Sequence, residues 1–190
     1  MSFLPDNYEK PAGKGNYYKL QTGDNRFRIL SPAITGWIDW DNKQPVRTKD
    51  RPEISIDPTK PAKHFWAFVI WDYKEKAIKI MEITQSTIQD AIFSLHSESE
   101  WGNPQSYDLN IKKTGEKMET KYNVVPTPPK PLSAEIKELY SMVKINLNEL
   151  YSGGDPFNSE KSSTPEAYLP EERTTEITGE DMRNIADIPF

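Results

Sequence analysis

The chain contains no cysteine, and histidine occurs only twice among its 190 residues. The absence of cysteine excludes a disulfide framework, a thiolate metal site and a cysteine nucleophile. His64 and His96 lie in no metal-ligand spacing, and the glycine-rich motifs of nucleotide-binding enzymes and the Gly-x-Ser-x-Gly motif of hydrolases are missing. We therefore expect a protein that is not an enzyme and that holds neither a metal nor another cofactor.

Long hydrophobic stretches are missing as well. No run of about 18 apolar residues could form a transmembrane helix, and residues 1–6 lack the basic and then apolar pattern of a secretory signal. The glycine–lysine–glycine sequence at residues 13–15 has no strand before it, so we interpret it as part of a flexible basic arm and not as a phosphate-binding loop. These features predict a cytoplasmic protein without a membrane partner.

Acidic and basic residues are unevenly distributed along the chain. The formal net charge is −5, yet residues 155–190 alone carry nine acidic and three basic side chains, a net charge of −6. Residues 1–154 therefore carry +1. This asymmetry between a body and an acidic tail is typical of a segment that interacts with partners.

The acidic segment is also poor in large apolar residues and contains four prolines, so it cannot bury enough surface to offset its chain entropy. The predicted organisation is a flexible N-terminal arm at residues 1–16, a folded domain at residues 17–150 and a disordered acidic tail at residues 151–190. A tail that only improves solubility is one interpretation, but it would not need apolar side chains at the end. We interpret four residues there as a docking segment for a partner protein: Asp187, Ile188, Pro189 and Phe190.

Hydrophobic periodicity divides the folded domain into strands and helices. Alternating and aromatic runs predict five strands, at residues 26–40 with an interruption at Pro32, 64–73, 77–83, 107–113 and 121–125. Apolar residues at helical spacing predict one helix that begins at a Ser86–Gln89 capping box and another that begins near Ser133. The predicted fold class is mainly β: a five-stranded OB-fold barrel with a helix between strands 3 and 4, an appended C-terminal helix and a disordered acidic tail.

Aromatic and basic side chains are concentrated in the same parts of this predicted barrel. The long connection at residues 41–63 is rich in Lys and Arg, and so are residues 112–121. Rings that stack on unpaired bases, next to cations that neutralise phosphates, bind single strands without reading their sequence. The predicted DNA-binding residues are Trp37, Trp40, Arg47, Lys49, Arg51, Lys63, Phe65, Trp66, Tyr73, Lys112, Lys113, Lys117, Lys121 and Tyr122.

The strand at residues 64–73 is aromatic on both faces. Alternation places His64 and Trp66 on one face and Phe65, Trp71 and Tyr73 on the other. Periodicity therefore does not show which face is core. We interpret Trp71 as a core residue and expect one face of the sheet to carry at least two stacking rings.

Several sequence runs resemble a known family. The run HFWAFVIWDYKEKAIKIMEITQSTIQDAIFSL, followed by WGNPQSYDLNIKKTG and YNVVPTPPKPL, is similar to the single-stranded DNA-binding proteins of tailed bacteriophages. The sequence DIPF resembles the C-terminal tip of bacterial single-stranded DNA-binding proteins. The resemblance implies an OB-fold, protection of single strands during phage DNA replication, recombination and repair in a bacterial host cell, and recruitment of a polymerase, helicase or primase through the tip. It leaves a monomer and a homodimer open.

Two other binding functions compete with this interpretation. A small-barrel adaptor would use the aromatic hairpin as a protein interface, but such interfaces are depleted in lysine, which is abundant here. A double-strand binder would need a basic recognition helix, and the predicted helix at residues 86–95 contains no Lys or Arg. Sequence-independent binding of single-stranded DNA is therefore the favoured hypothesis.

Overall fold

The computed structural model describes residues 15–158 of the chain. The strands are β1 Gly23–Ile29, β2 Ile34–Asp41, β3 Gln44–Thr48, β4 Lys63–Asp72, β5 Ala77–Ile83, β6 Asp108–Thr114 and β7 Lys121–Pro126. The helices are α1 Ser86–Ser97, α2 Ala134–Met142 and α3 Glu149–Ser152, with short 3-10 turns at Pro104–Ser106 and Lys117–Glu119. Within residues 15–158, no helix is long and apolar enough to cross a membrane.

The seven strands form one antiparallel sheet. Its strand order is β3-β2-β4-β1-β6-β7, and β5 pairs with β4 outside this order. The prediction of a mainly β fold is confirmed. The helix predicted between strands 3 and 4 is α1, which lies in the chain between β5 and β6, the counterparts of those two predicted strands. The prediction of a closed five-stranded barrel is wrong, since the described sheet is open and has seven strands.

One of the additional strands arises from a break in the predicted first strand. Pro32 has no N–H to donate, so the ladder stops there and the chain continues as a separate β2. The Ser31 hydroxyl compensates for the interrupted ladder, because it accepts a hydrogen bond from the Val69 N–H of β4 at 2.9 Å. The Leu30 N–H donates to the Val69 carbonyl at 2.8 Å, so the two residues before Pro32 stay attached to Val69 of β4.

The other additional strand lies inside the connection that was predicted to be irregular. Asn42 and Lys43 both have positive φ, 47° and 69°, and they link β2 to β3. Two consecutive residues with positive φ match the twist of a tight hairpin. The connection that remains without strands is therefore residues 49–62.

The first described residues of the chain pair with the edge of β5. Tyr17 forms a parallel bridge with Ile80 in β5. The Ile80 N–H donates to the Asn16 carbonyl at 2.9 Å, and the Tyr18 N–H donates to the Ile80 carbonyl at 2.8 Å. These bonds occupy the edge of β5 that a closing strand would need.

The central strand β4 is buried on both faces, and a core cluster packs against each face. Phe68 and Ile70 belong to a cluster under α1, whereas Phe65 and Val69 belong to a second cluster that includes residues of α3. Trp71 is buried as interpreted. Burial of one such large apolar side chain contributes about 1.5–3 kcal/mol, so β4 is fixed from both sides.

The helices differ from the predictions at their ends. α1 forms no Ser86–Gln89 capping box, and the cap residue Gln85 makes no side-chain bond to the helix. Gln89 is instead buried, and its amide donates to the carbonyls of Ile83 at 2.9 Å and His64 at 3.3 Å. The bond to His64 connects α1 to the start of β4.

The predicted C-terminal helix is two helices, α2 and α3. Ser133 caps the first as predicted, since its hydroxyl accepts from the Ile136 N–H at 3.4 Å. The first helix ends at Met142 because Val143 adopts an extended conformation, with φ −101° and ψ 120°. The Asn146 N–H then bonds to the Pro156 carbonyl at 2.9 Å. Tyr151 and Phe157 pack on the second core cluster, so the chain remains attached to the sheet up to this point.

Candidate nucleic-acid interface

One face of the sheet presents a group of aromatic side chains at the beginning of β4. Trp37 lies opposite His64, and Thr35 lies opposite Trp66. Residues that are directly opposite in an antiparallel pair share a face, and diagonal neighbours are about 7–8 Å apart. Thr35, Trp37, His64 and Trp66 therefore form one surface, which we call the tryptophan face.

The tryptophan face is the continuation of a core face. Ile70 and Phe68 are fully buried beneath α1, whereas Trp66 and His64 on the same side of β4 are only partly buried. The Trp37 and His64 rings meet edge to face with their centroids 5.5 Å apart. This face of β4 therefore carries core residues at its C-terminal end and the partly exposed rings of His64 and Trp66 at its N-terminal end.

The connection at residues 49–62 brings a cation to this face. Asp39 is buried, and its carboxylate accepts from the Ile56 N–H at 2.7 Å and from the Trp40 N–H at 2.8 Å. These bonds hold the middle of the connection against β2. The Arg51 guanidinium lies 4.9 Å from the centroid of the Trp37 ring, within the range of a cation–π contact.

A groove of about 430 Å³ continues from Trp66. Its walls include Pro32, Trp66 and Phe93, and its polar lining includes His96 and Gln105. Phe93 is 61% exposed although its ring is large and apolar. An aromatic ring of this kind beside a half-buried tryptophan provides two flat surfaces that could contact a base.

The sequence prediction did not include Phe93, His96 or Gln105. A signal for Phe93 was present, because it falls outside the apolar helical stripe of Ile88 and Ile92. An aromatic residue on the solvent side of a helix often marks a contact surface.

Several predicted cations lie on the opposite face from Trp37. Arg47 and Lys63 both pair with Ile38, the neighbour of Trp37 in β2. The Arg47 Nε is 2.7 Å from a carboxylate oxygen of Glu82, so this charge is already compensated. Lys49 lies 5.5 Å from the centroid of the Tyr151 ring, also on the side that α3 covers.

Three predicted aromatic residues have different environments. Phe65 is 0% exposed and packs in the second core cluster, so its inclusion among DNA-binding residues is corrected: the ring has no surface for a base. Trp40 is 51% exposed near the end of the β2–β3 hairpin. Tyr122 lies on β7 and is partly buried against the first core cluster.

Tyr73 is engaged by protein groups. Its hydroxyl donates to an Asp108 carboxylate oxygen at 2.9 Å, and the Arg26 guanidinium lies 4.8 Å from its ring centroid. Burial and the hydrogen bond to Asp108 raise the pKa of Tyr73 to about 12. The Tyr73 side chain therefore contacts Asp108 and Arg26, and its ring does not present an uncovered face to a base.

The remaining predicted lysines belong to β6, β7 and the connection between them. Lys112 pairs with Asp24 and Asn123, whereas Lys113 pairs with Tyr122, so alternation turns the two lysines to opposite faces. Lys117 and Lys121 are exposed. β3 and β7 are at the two ends of the strand order, so these lysines and the β2–β3 cations belong to different parts of the sheet. The predicted docking residues Asp187, Ile188, Pro189 and Phe190 lie outside the described residues.

Comparison with known proteins gives one informative similarity. No protein-family model matches the chain, and no solved structure matches it significantly. A protein of Escherichia phage T5 named "Probable ssDNA-binding protein" is 28% identical over 142 residues, which covers 58% of this chain and 54% of the phage protein. The chain thus spans about half the length of this curated relative. The similarity supports the resemblance to phage proteins that the sequence shows.

Proposed function

We propose that this protein binds single-stranded DNA without strong sequence preference and acts as a binding protein, not as an enzyme. The observation that carries the proposal is the tryptophan face, where Trp37 and Trp66 lie close together beside Arg51. The name of the phage T5 relative supports the same ligand.

The geometry accounts for binding that does not depend on sequence. Every base has a flat face, and each base stacked on an aromatic ring contributes about 1–3 kcal/mol. Arg51 lies where it can neutralise a phosphate next to a base stacked on Trp37. The groove beyond Trp66, with Phe93 on its wall, extends the contact surface by about one further base.

The experiment that tests the proposal is a fluorescence titration. All five tryptophans lie in residues 1–154, so quenching reports on the folded part of the chain. We expect oligo(dT) to quench the emission more than a duplex of equal length, and we expect the affinity to fall as salt increases. Quenching by neither DNA would reject the proposal and favour the adaptor hypothesis. Equal quenching by both DNAs would reject the preference for single strands.

A matched pair of variants makes the titration specific to the tryptophan face. Trp66→Ala should weaken oligo(dT) binding because Trp66 is partly exposed and lines the groove. Trp71→Phe keeps an aromatic ring at a buried position and should leave the affinity unchanged.

We also propose that residues 155–190 recruit replication proteins such as a polymerase, helicase or primase to DNA in a bacterial host cell. The support is the acidic composition of this segment and the apolar pair Ile188 and Phe190. Phe190→Ala should abolish capture of a host polymerase, helicase or primase and leave oligo(dT) affinity unchanged. Loss of DNA binding in this variant would show that the segment has another role.

A further inference from the structure

The carboxylate of Asp108 in β6 is the centre of a dense ion cluster on the sheet. The side chain is completely buried. Four donors surround it: Arg26 Nη2 at 2.7 Å, Arg28 Nε at 2.7 Å, Lys130 Nζ at 2.9 Å and the Tyr73 hydroxyl at 2.9 Å. The cluster joins β1, β4, β6 and the proline-rich segment after β7.

The cluster holds more positive than negative charge. Burial on its own would raise the pKa of Asp108, but the hydrogen bonds from Arg26, Lys130, Arg28 and Tyr73 outweigh it and hold the pKa at about 2. The carboxylate is therefore ionised at neutral pH. Three cations against one carboxylate leave two positive charges in excess.

The three cations differ in what else they do. Arg28 is 1% exposed, and its guanidinium also donates to the carbonyls of Gln105 and Lys130, so it acts as an internal clamp. This clamp already neutralises the charge of Asp108. The side chains of Arg26 and Lys130 are 49% and 46% exposed, so both extend from the buried carboxylate into solvent.

Tyr73 holds the two exposed cations next to each other. The Arg26 guanidinium is 4.8 Å and the Lys130 ammonium 5.9 Å from the centroid of its ring. Excess charge in a partly desolvated cluster is costly unless a further anion compensates it. Arg26 uses two of its five N–H donors on Asp108 and Lys130 uses one of three, so each retains donors for such an anion.

Asp24 is an acidic neighbour of Arg26 on the same face of β1. Asp24 accepts a hydrogen bond from the Asn110 amide at 2.9 Å and lies opposite Lys112. Within residues 15–158, Asp24 forms no ion pair with Arg26 or Lys130, whose ion-pair partner is Asp108.

We propose that Arg26 and Lys130, supported by Tyr73 and Asp108, form a binding site for a phosphodiester group of the DNA backbone. The proposal rests on the proposed function for the identity of the ligand. It adds a phosphate contact on β1, away from the β2–β3 hairpin. Because Arg28 pairs with Trp71, the cluster lies on the face of the sheet opposite the tryptophan face, and a strand bound at both sites must pass around an edge of the sheet. Tyr73 serves as the support of the site and not as a stacking ring.

The test is the salt dependence of oligo(dT) binding by the double variant Arg26→Gln/Lys130→Gln. Each neutralised phosphate of a single strand contributes a slope of about 0.7 in log affinity against log salt. The double variant should lower the slope by about 0.7 to 1.4, which makes the loss of affinity between 50 and 200 mM salt about threefold to sevenfold smaller. Lys137→Gln removes an exposed lysine of α2 and should leave the slope unchanged. A wild-type slope in the double variant would overturn the proposal.

A second measurement separates this proposal from the proposed function. Inorganic phosphate is titrated into the full chain while the side-chain N–H signal of Arg26 is followed by NMR at constant ionic strength. If the wild type does not bind oligo(dT), the proposed function fails. A saturable shift of the Arg26 signal with phosphate, abolished by Lys130→Gln, would still support an anion site. No saturable shift in that case would overturn the site as well.

Discussion

Asp39 fastens the connection at residues 49–62 to β2, and its replacement by alanine is a direct test of how the interface is held. The variant loses the hydrogen bonds to the Ile56 and Trp40 N–H groups. A hydrogen bond to a charged group contributes about 1.5–3 kcal/mol. Ile56 and Trp40 are exposed residues, so water replaces part of this loss. We expect a decrease of about 1.5–3 kcal/mol in the free energy of unfolding, which corresponds to roughly 3–12 °C in Tm.

The same change should weaken DNA binding. Once the connection is released, Arg51 is no longer held on the Trp37 ring. A cation–π contact at an exposed site is worth about 0.5–1 kcal/mol, which predicts a twofold to fivefold loss of oligo(dT) affinity. The loss should be largest at low salt, because Arg51 is also placed to neutralise a phosphate. The assays are thermal unfolding followed by circular dichroism and the tryptophan fluorescence titration.

Asp41→Ala is the matched control because Asp41 is in the same strand and has the same charge, but is exposed. Removing a negative charge near the interface should by itself leave affinity unchanged or raise it. The reasoning is refuted if Asp39→Ala unfolds like the wild type, or if its affinity rises as in Asp41→Ala.

Three further predictions concern other parts of the chain. Trp37→Ala should reduce oligo(dT) affinity about 5-fold to 150-fold in a fluorescence titration, because one stacked base is lost. The pKa of Asp108 is lowered to about 2, so the stability that its ionised carboxylate contributes is present above about pH 4 and is lost as pH falls towards 2. Tm measured against pH should show this loss in the wild type and not in Asp108→Asn. Deletion of residues 155–190 should raise oligo(dT) affinity, most at low salt, because the segment carries −6 and competes with DNA for the cations.

Each of these predictions has a result that contradicts it. An unchanged affinity of Trp37→Ala would remove that ring from the interface. A Tm that falls equally with pH in wild type and Asp108→Asn would assign the acid sensitivity to other carboxylates. An affinity that the deletion leaves unchanged at every salt concentration would mean that the acidic segment does not compete with DNA.

The strands with strong alternation could be predicted from the sequence, whereas β3 and the open sheet could not. β3 has only five residues and includes Pro45, and its hairpin depends on positive φ at Lys43, a conformation that lysine rarely adopts. The contact at the outer edge of β5 depends on pairing between Ile80 and Asn16, which are far apart in sequence. Such tertiary competition leaves no local pattern.

The candidate site was predictable only in part for a related reason. Trp37 and Trp66 were found because aromatic residues concentrate in β2 and β4, but periodicity could not show that Phe65 on the other face is covered by α3. The ion cluster could not be found at all, since Arg26 and Lys130 are brought together by Asp108, by Tyr73 and by the register of β1 with β6, none of which is local in sequence.

The pairing of Asn16, Tyr17 and Tyr18 with Ile80 has a consequence for the protein at high concentration. An unpaired strand edge is a template on which a second chain can add its own strand, and this leads to aggregation. Proteins that coat a DNA strand are crowded side by side, so their edges meet often. Because residues 16–18 pair with Ile80, this part of the β5 edge is not available to a strand of a neighbouring copy.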